Sequence, residues 1–167
     1  MTSETFHLSL GVEIEALANR GDALELLRVH LHQNSISATI IPKQSDIATE
    51  FNTEQWVLSE DMTAVPDSDS DAEAEYLGIE LRSPIFVDDG AGGEQRQRWQ
   101  GEIQHLMSVL NGIKDPLRLQ ITSTAGLHVH IGQGKSALAL PALKNLAWIH
   151  YEYASKFCIE VLICGHR

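Results

Sequence analysis

Apolar and polar residues alternate in three short stretches of the chain, each with the period of a β-strand. They are Gly11-Val12-Glu13-Ile14-Glu15, Leu77-Gly78-Ile79-Glu80-Leu81-Arg82 and Gly126-Leu127-His128-Val129-His130-Ile131-Gly132. Side chains two apart on a strand point the same way, about 6–7 Å apart. Glu13 therefore shares a face with Glu15, and His128 with His130. Val12 and Ile14, Ile79 and Leu81, and Leu127, Val129 and Ile131 form the opposite, core-facing side. If the three strands lie in one sheet, three glutamates and two histidines meet on one surface.

Between these strands the pattern changes period. Leu24, Leu27 and Leu31 fall at helical spacing behind Gly21-Asp22, which predicts a helix over 22–33 with Asp22 capping it. Ile36 to Ile41 reads as a β-rich run stopped by Pro42, and Trp56-Val57-Leu58-Ser59 as another strand. Trp99, Ile103, Leu106, Leu110 and Ile113 form one stripe, predicting a helix over 94–112. Leu117 to Ser123 reads as a strand. A last helix over 141–157 starts at Pro141 and buries Leu143, Leu146, Trp148 or Ile149, and Tyr153. The fold class is α+β: a mostly antiparallel sheet with its helices on one face. No internal repeat is visible.

Several segments have plainer readings. Residues 60–75 are the most acidic part, with Asp67, Asp69 and Asp71 alternating with Ser68 and Ser70. They lack the central glycine and flanking helices of a calcium loop and read as a solvated loop. Asp88-Asp89-Gly90-Ala91-Gly92-Gly93 lacks the spacing of a phosphate loop and reads as a linker. His30 and His32 fall on different faces of their helix, and His105 and His150 read as packing or surface residues. Ser83 and Ser123 have no base partner at a recognisable spacing.

The 167 residues suffice for one domain with a core, and the hydrophobic fraction of 43% is that of a soluble protein. Acidic residues outnumber basic ones 23 to 12, giving a net charge of −11. That disfavours nucleic-acid binding through a basic surface but not nucleotide binding, because metal ions bridge acidic sites to phosphates. No apolar run spans a bilayer, the N-terminus lacks a signal-peptide pattern, and Cys158 and Cys164 are too few for a disulfide framework. A cytoplasmic protein that binds no membrane is the expectation.

Clustered carboxylates repel one another unless cations neutralise them, so Glu13, Glu15, Glu80, His128 and His130 are candidate metal ligands. A carboxylate-rich set with few nitrogens favours Mg²⁺ or Mn²⁺ over zinc. Histidine is a poor Mg²⁺ ligand, so one or both imidazoles instead contact phosphate or stand behind the ligands.

Taken in order, Gly-Val-Glu-Ile-Glu, Trp56 followed by Asp61, Gly-Ile-Glu-Leu-Arg-Ser-Pro-Ile and Gly-Leu-His-Val-His-Ile-Gly resemble the amidoligase family common in fungi. That family is related to glutamine synthetase and glutamate–cysteine ligase, the carboxylate–amine ligases. The resemblance covers about residues 6–157, and the last ten residues, 158–167, match nothing in it. It implies a curved antiparallel sheet with helices on its back, and ATP with divalent cations on the concave face. It assigns Glu13, Glu15 and Glu80 as metal ligands, His128 or His130 to the metal- and phosphate-contacting position, and Asp61 to the mouth of the site; Glu15, His128 and His130 are the candidate cofactor contacts. Arg82 shares Glu80's face and joins Glu80 and Asp61 among the catalytic candidates. The implied substrates are a small carboxylate and an amine, joined through an acyl phosphate. Relatives are longer, and Ala125 stands where they often carry cysteine, so the chain reads as an N-terminal portion, bound to Mg²⁺–ATP weakly and active only in a longer form. Two other classes remain open: a zinc- or iron-dependent barrel enzyme using His128 and His130, and a non-catalytic metal-binding remnant.

Overall fold

The computed structural model describes residues 8–19, 21–41, 54–67, 76–88, 94–113, 117–132, 138–153 and 161–162. Within them the chain runs β1 (Leu8–Ala18), α1 (Ala23–Gln33), β2 (Ala38–Ile40), β3 (Trp56–Glu60), β4 (Leu77–Arg82) and β5 (Phe86–Asp88). It continues through α2 (Glu94–Asn111), β6 (Leu119–Gln120), β7 (Leu127–Gly132), α3 (Leu140–Tyr153) and β8 (Val161–Leu162). The architecture is α+β, with a mostly antiparallel open sheet ordered β2-β3-β4-β1-β7-β8. β5 and β6 also pair with β1. The parallel pairs are β2 with β3 and β7 with β8.

β1 is the spine. Its centre pairs antiparallel with β4 on one side and β7 on the other, and β5 and β6 extend the two edges beyond them. Strict alternation fixes which face is buried, because a slip of one residue would turn every apolar side chain to the other side. Ala16, Ala18, Ile79, Leu81, Leu58 and Trp56 join Ala23, Leu27 and Leu31 of α1 and Leu106 and Val109 of α2 in one core. Phe86 links strand and helix, its ring centroid 6.4 Å from that of Trp56 and 6.3 Å from that of Trp99. Burial of the Leu27, Leu31 and Leu106 side chains, all at most 1% exposed, contributes about 1.5–3 kcal/mol each.

The predicted elements are found with adjusted ends. β1 continues to Ala18, α1 starts at Ala23 and α2 ends at Asn111. Asp22 stands at the N-cap of α1, but its side chain makes no capping hydrogen bond; its carbonyl accepts from the Leu26 amide. The strand expected over Leu117–Ser123 shrinks to Leu119–Gln120 because Ser123 and Thr124 turn their polar groups to another loop and the Thr122 hydroxyl bonds that of Thr124. Leu127, expected in the core, is 56% exposed, while Val129 and Ile131 are half-buried. α3 spans Leu140–Tyr153; of the two alternatives expected to be buried, Trp148 is 60% exposed and the Ile149 side chain lies outside the described residues. α1 and α2 thus carry the core side of the sheet. The glycine-rich linker over 89–93, Asp69, Asp71, the His150 side chain and both cysteines lie outside the described residues.

Candidate functional site

The strand pairing assembles the predicted residues on the face opposite α1 and α2. Glu13 lies across from Arg82 of β4 on one side and His128 of β7 on the other. Glu15 is opposite Glu80, and Gly11 is opposite His130. One strand further out, Ser59 is opposite Glu80. Directly paired residues of an antiparallel ladder project to the same side. Glu13, Glu15, Glu80, Arg82, His128 and His130 therefore share one surface. Their apolar neighbours Ile14, Ala16, Ile79 and Leu81 belong to the core on the other face or pack against it.

The side chains are in close register. His130 Nε2 lies 2.9 Å from Glu13 Oε2, His128 Nδ1 lies 3.5 Å from the same oxygen, and His128 Nε2 lies 3.7 Å from Glu15 Oε1. Glu15 Oε2 accepts the Gly126 amide at 2.9 Å, and the Glu15 amide donates back to the Gly126 carbonyl at 2.9 Å. A Cβ at Gly126 would come within 2.9 Å of His128 Nε2, so the glycine allows this close approach. Glu80 Oε2 accepts from Ser59 Oγ at 3.1 Å and lies 3.7 Å from Arg82 Nε.

Like charges directly opposite on a ladder destabilise it. Glu15 and Glu80 are such a pair. Burial pushes the Glu80 carboxyl above its ordinary value, and the nearby Glu13 and Asp61 carboxylates push it further; Arg82 and the Ser59 hydroxyl oppose them. The buried Nε and Nη2 of Arg82 and Oδ2 of Asp61 have no hydrogen-bond partner among the described residues. Buried polar atoms left unpaired are costly.

One end of the surface is closed by a strap over residues 61–67. A Cβ at Gly78 would overlap the Asp61 carbonyl and lie 2.7 Å from that of Ala64, so the strap runs directly over β4. Leu17, which is paired with Gly78 and sits at the phase of Glu13 and Glu15, is 2% exposed beside it. Asp61 Oδ1 accepts the amide and hydroxyl of Thr63 and holds the strap's first turn. At the far end, Asp67 Oδ1 accepts the amide and hydroxyl of Ser123, while Thr124 Oγ1 donates to the Val65 carbonyl and accepts from its amide. These bonds hold the Asp67 carboxyl below its ordinary value. The acidic segment expected to be a solvated loop is thus tied down as far as Asp67.

Among the described residues, no group of three or more His, Cys, Asp or Glu side chains is arranged to hold a metal ion. The predicted ligands are brought together but turned on one another: Glu13 toward both imidazoles, Glu15 toward Gly126 and His128. Sequence reasoning did not find Ser59, Asp67, Ser123 or the role of Gly126. A lone serine in a strand has no signature, and the Asp67–Ser123 bond spans 56 residues of chain. Ser83, set aside earlier, accepts the Val12 amide at 2.8 Å and continues the β1–β4 ladder. No helix among the described residues is long and apolar enough to cross a membrane. Comparison with known proteins finds no counterpart for this arrangement: no family model, no curated protein and no solved structure matches the chain.

Proposed function

We propose that the chain is an ATP-dependent carboxylate–amine ligase of the glutamine synthetase type, using Mg²⁺ or Mn²⁺ on the face of its sheet opposite α1 and α2. One observation carries the reading: three neighbouring strands place Glu13, Glu15, Glu80, Arg82, His128 and His130 on one surface, with helices behind it. The open, mostly antiparallel sheet agrees with the architecture that the sequence resemblance implies.

The donor chemistry fits hard cations. Three glutamates supply oxygen ligands, and the unpaired Asp61 Oδ2 adds a fourth carboxylate near Glu80. Glu13, Glu15 and Glu80 would hold the ions, with His128 and His130 giving up their contacts to Glu13. Bound divalent cations screen the repulsion between a substrate carboxylate and the triphosphate.

The chain's own groups do the rest. Arg82 presents unfilled donors on Nε and Nη2, suited to a phosphoryl or carboxylate oxygen. The Ser59 hydroxyl holds Glu80 in place, and the Gly126 amide holds Glu15. The strap over 61–67 closes one end against water. On such a surface a substrate carboxylate oxygen attacks the γ-phosphorus of ATP and ADP leaves. An amine then attacks the acyl carbon of the resulting acyl phosphate, inorganic phosphate leaves, and the amine gives up a proton.

Calorimetric titration with ATP, with and without Mg²⁺, tests the reading, followed by ADP release with a panel of amino acids and amines. Mg²⁺-dependent ATP binding lost in Glu13→Gln/Glu15→Gln supports it. Tight zinc or iron retained through purification, with no nucleotide binding, sinks it.

A further inference from the structure

We infer that Asp67 is a positioning residue: by gripping Ser123 it holds the turn that carries Gly126, and through the Gly126 amide it fixes the orientation of the Glu15 carboxylate. The inference rests on the proposed function only where it concerns cation binding. Its physical basis is a chain of contacts that begins outside the acidic and imidazole surface and ends on it.

Asp67 Oδ1 accepts both the amide and the hydroxyl of Ser123. The next residue, Thr124, is bonded through its hydroxyl to both backbone groups of Val65, and Thr122 and Thr124 hydroxyls lie 3.0 Å apart. The Ala125 amide donates to the Thr122 carbonyl, closing a turn. Gly126 follows, and its amide donates to Glu15 Oε2 while Glu15 Oε1 stays within 3.7 Å of His128 Nε2. Asp67, together with the Thr124–Val65 bonds, anchors the N-terminal side of the turn from which the Gly126 amide points, while the Glu15 amide's bond to the Gly126 carbonyl anchors the other side. The Gly126 amide in turn holds one Glu15 oxygen while the other faces the imidazole.

This turn needs an external grip. β6 is two residues long and pairs only with the end of β1, so few ladder bonds hold the turn from its N-terminal side. Ser123 and Thr124 are exposed, and little apolar packing holds them. The strap supplies the missing anchor, and it is itself braced by the close fit of Ala64 and the Asp61 carbonyl over Gly78. An outer residue that orients a carboxylate ligand governs its affinity without touching the ion.

The test compares Asp67→Ala with Asp67→Asn, which keeps the accepting oxygen. Hydrogen exchange of the Gly126 amide is read beside that of Leu81 in β4, and Mn²⁺ affinity is read by titration of the full chain. Asp67→Ala is expected to speed Gly126 exchange at least tenfold, with Leu81 unchanged, and to weaken Mn²⁺ binding about tenfold, the low end for loss of a ligand's support. Asp67→Asn restores both. Unchanged Gly126 protection, or equal loss at Gly126 and Leu81, overturns the positioning role. Faster Gly126 exchange with undiminished Mn²⁺ affinity overturns its bearing on the cation. A wild-type chain that binds no Mn²⁺ removes the proposed function, and the Gly126 exchange then decides the positioning role alone.

Discussion

Glu15 and Glu80 are directly paired across the β1–β4 ladder, a like-charged pair that weakens it. Each oxygen contact nearby reduces the cost, but four carboxylates, Glu13, Glu15, Glu80 and Asp61, stand beside one guanidinium. The Glu80 carboxyl is held above its ordinary value by burial and by its acidic neighbours, so folding favours its protonated form. Stability from this preference is complete below the ordinary carboxylate range and is lost as pH rises through the elevated folded value. In chelator, Glu80→Gln should therefore melt higher than the wild type at neutral pH, and the advantage should vanish in acid. Thermal melts at pH 7 and pH 4 check this; equal melting at pH 7 would show that Glu80 carries no strain. The same crowding makes cations stabilising by mass action on the folded form. At matched ionic strength, Mg²⁺ or Mn²⁺ should raise Tm in the wild type and leave Glu13→Gln/Glu15→Gln unmoved. A melting shift of equal size in the double variant would place the ions elsewhere.

At the scale of elements, two local features decide where segments stop and cross. α1 ends in a Schellman arrangement: the Ile36 amide donates to the Leu31 carbonyl, the Ser35 amide to that of His32, and Ser35 takes φ 62°. That left-handed conformation costs a serine about 1 kcal/mol, which a glycine avoids. Ser35→Gly should raise unfolding free energy by up to that amount, measured by denaturant titration with an unchanged slope. Gly78 is the opposite case. A side chain there would meet backbone rather than a movable group, so Gly78→Ala should displace the strap and cost about 2 kcal/mol or more. Near-neutral stability in that variant would mean the strap does not lie over β4. The strands carrying the surface were legible because three alternating runs had one phase and one apolar side. What escaped were features without a local pattern. Leu119–Gln120 is shorter than its apolar run because Ile121 points to solvent and Ser123 and Thr124 bond to the strap. Whether β2 runs parallel or antiparallel to β3 is set by the path between them, which composition does not encode. Leu127 has the right periodicity and still lies mostly exposed, since periodicity tells which residues share a face and not whether anything covers it.

For the whole molecule, the excess of 23 acidic over 12 basic residues opposes compaction through self-repulsion. Sodium chloride should raise Tm modestly by screening, and Mg²⁺ at matched ionic strength should raise it further through the carboxylate surface. Equal shifts from the two salts would leave only screening. The central place of β1 has a kinetic consequence. Its Glu13 and Glu15 acquire their neighbours on one side only when residues 126–130 arrive, and the Glu15–Gly126 hydrogen bond joins positions 111 apart. Closing such long loops is entropically slow, and high contact order lengthens the search. During synthesis at about 5–20 residues per second, the first strand must wait several seconds with its edge bare. The strand that organises the sheet is therefore also the segment most exposed to mispairing in the nascent chain.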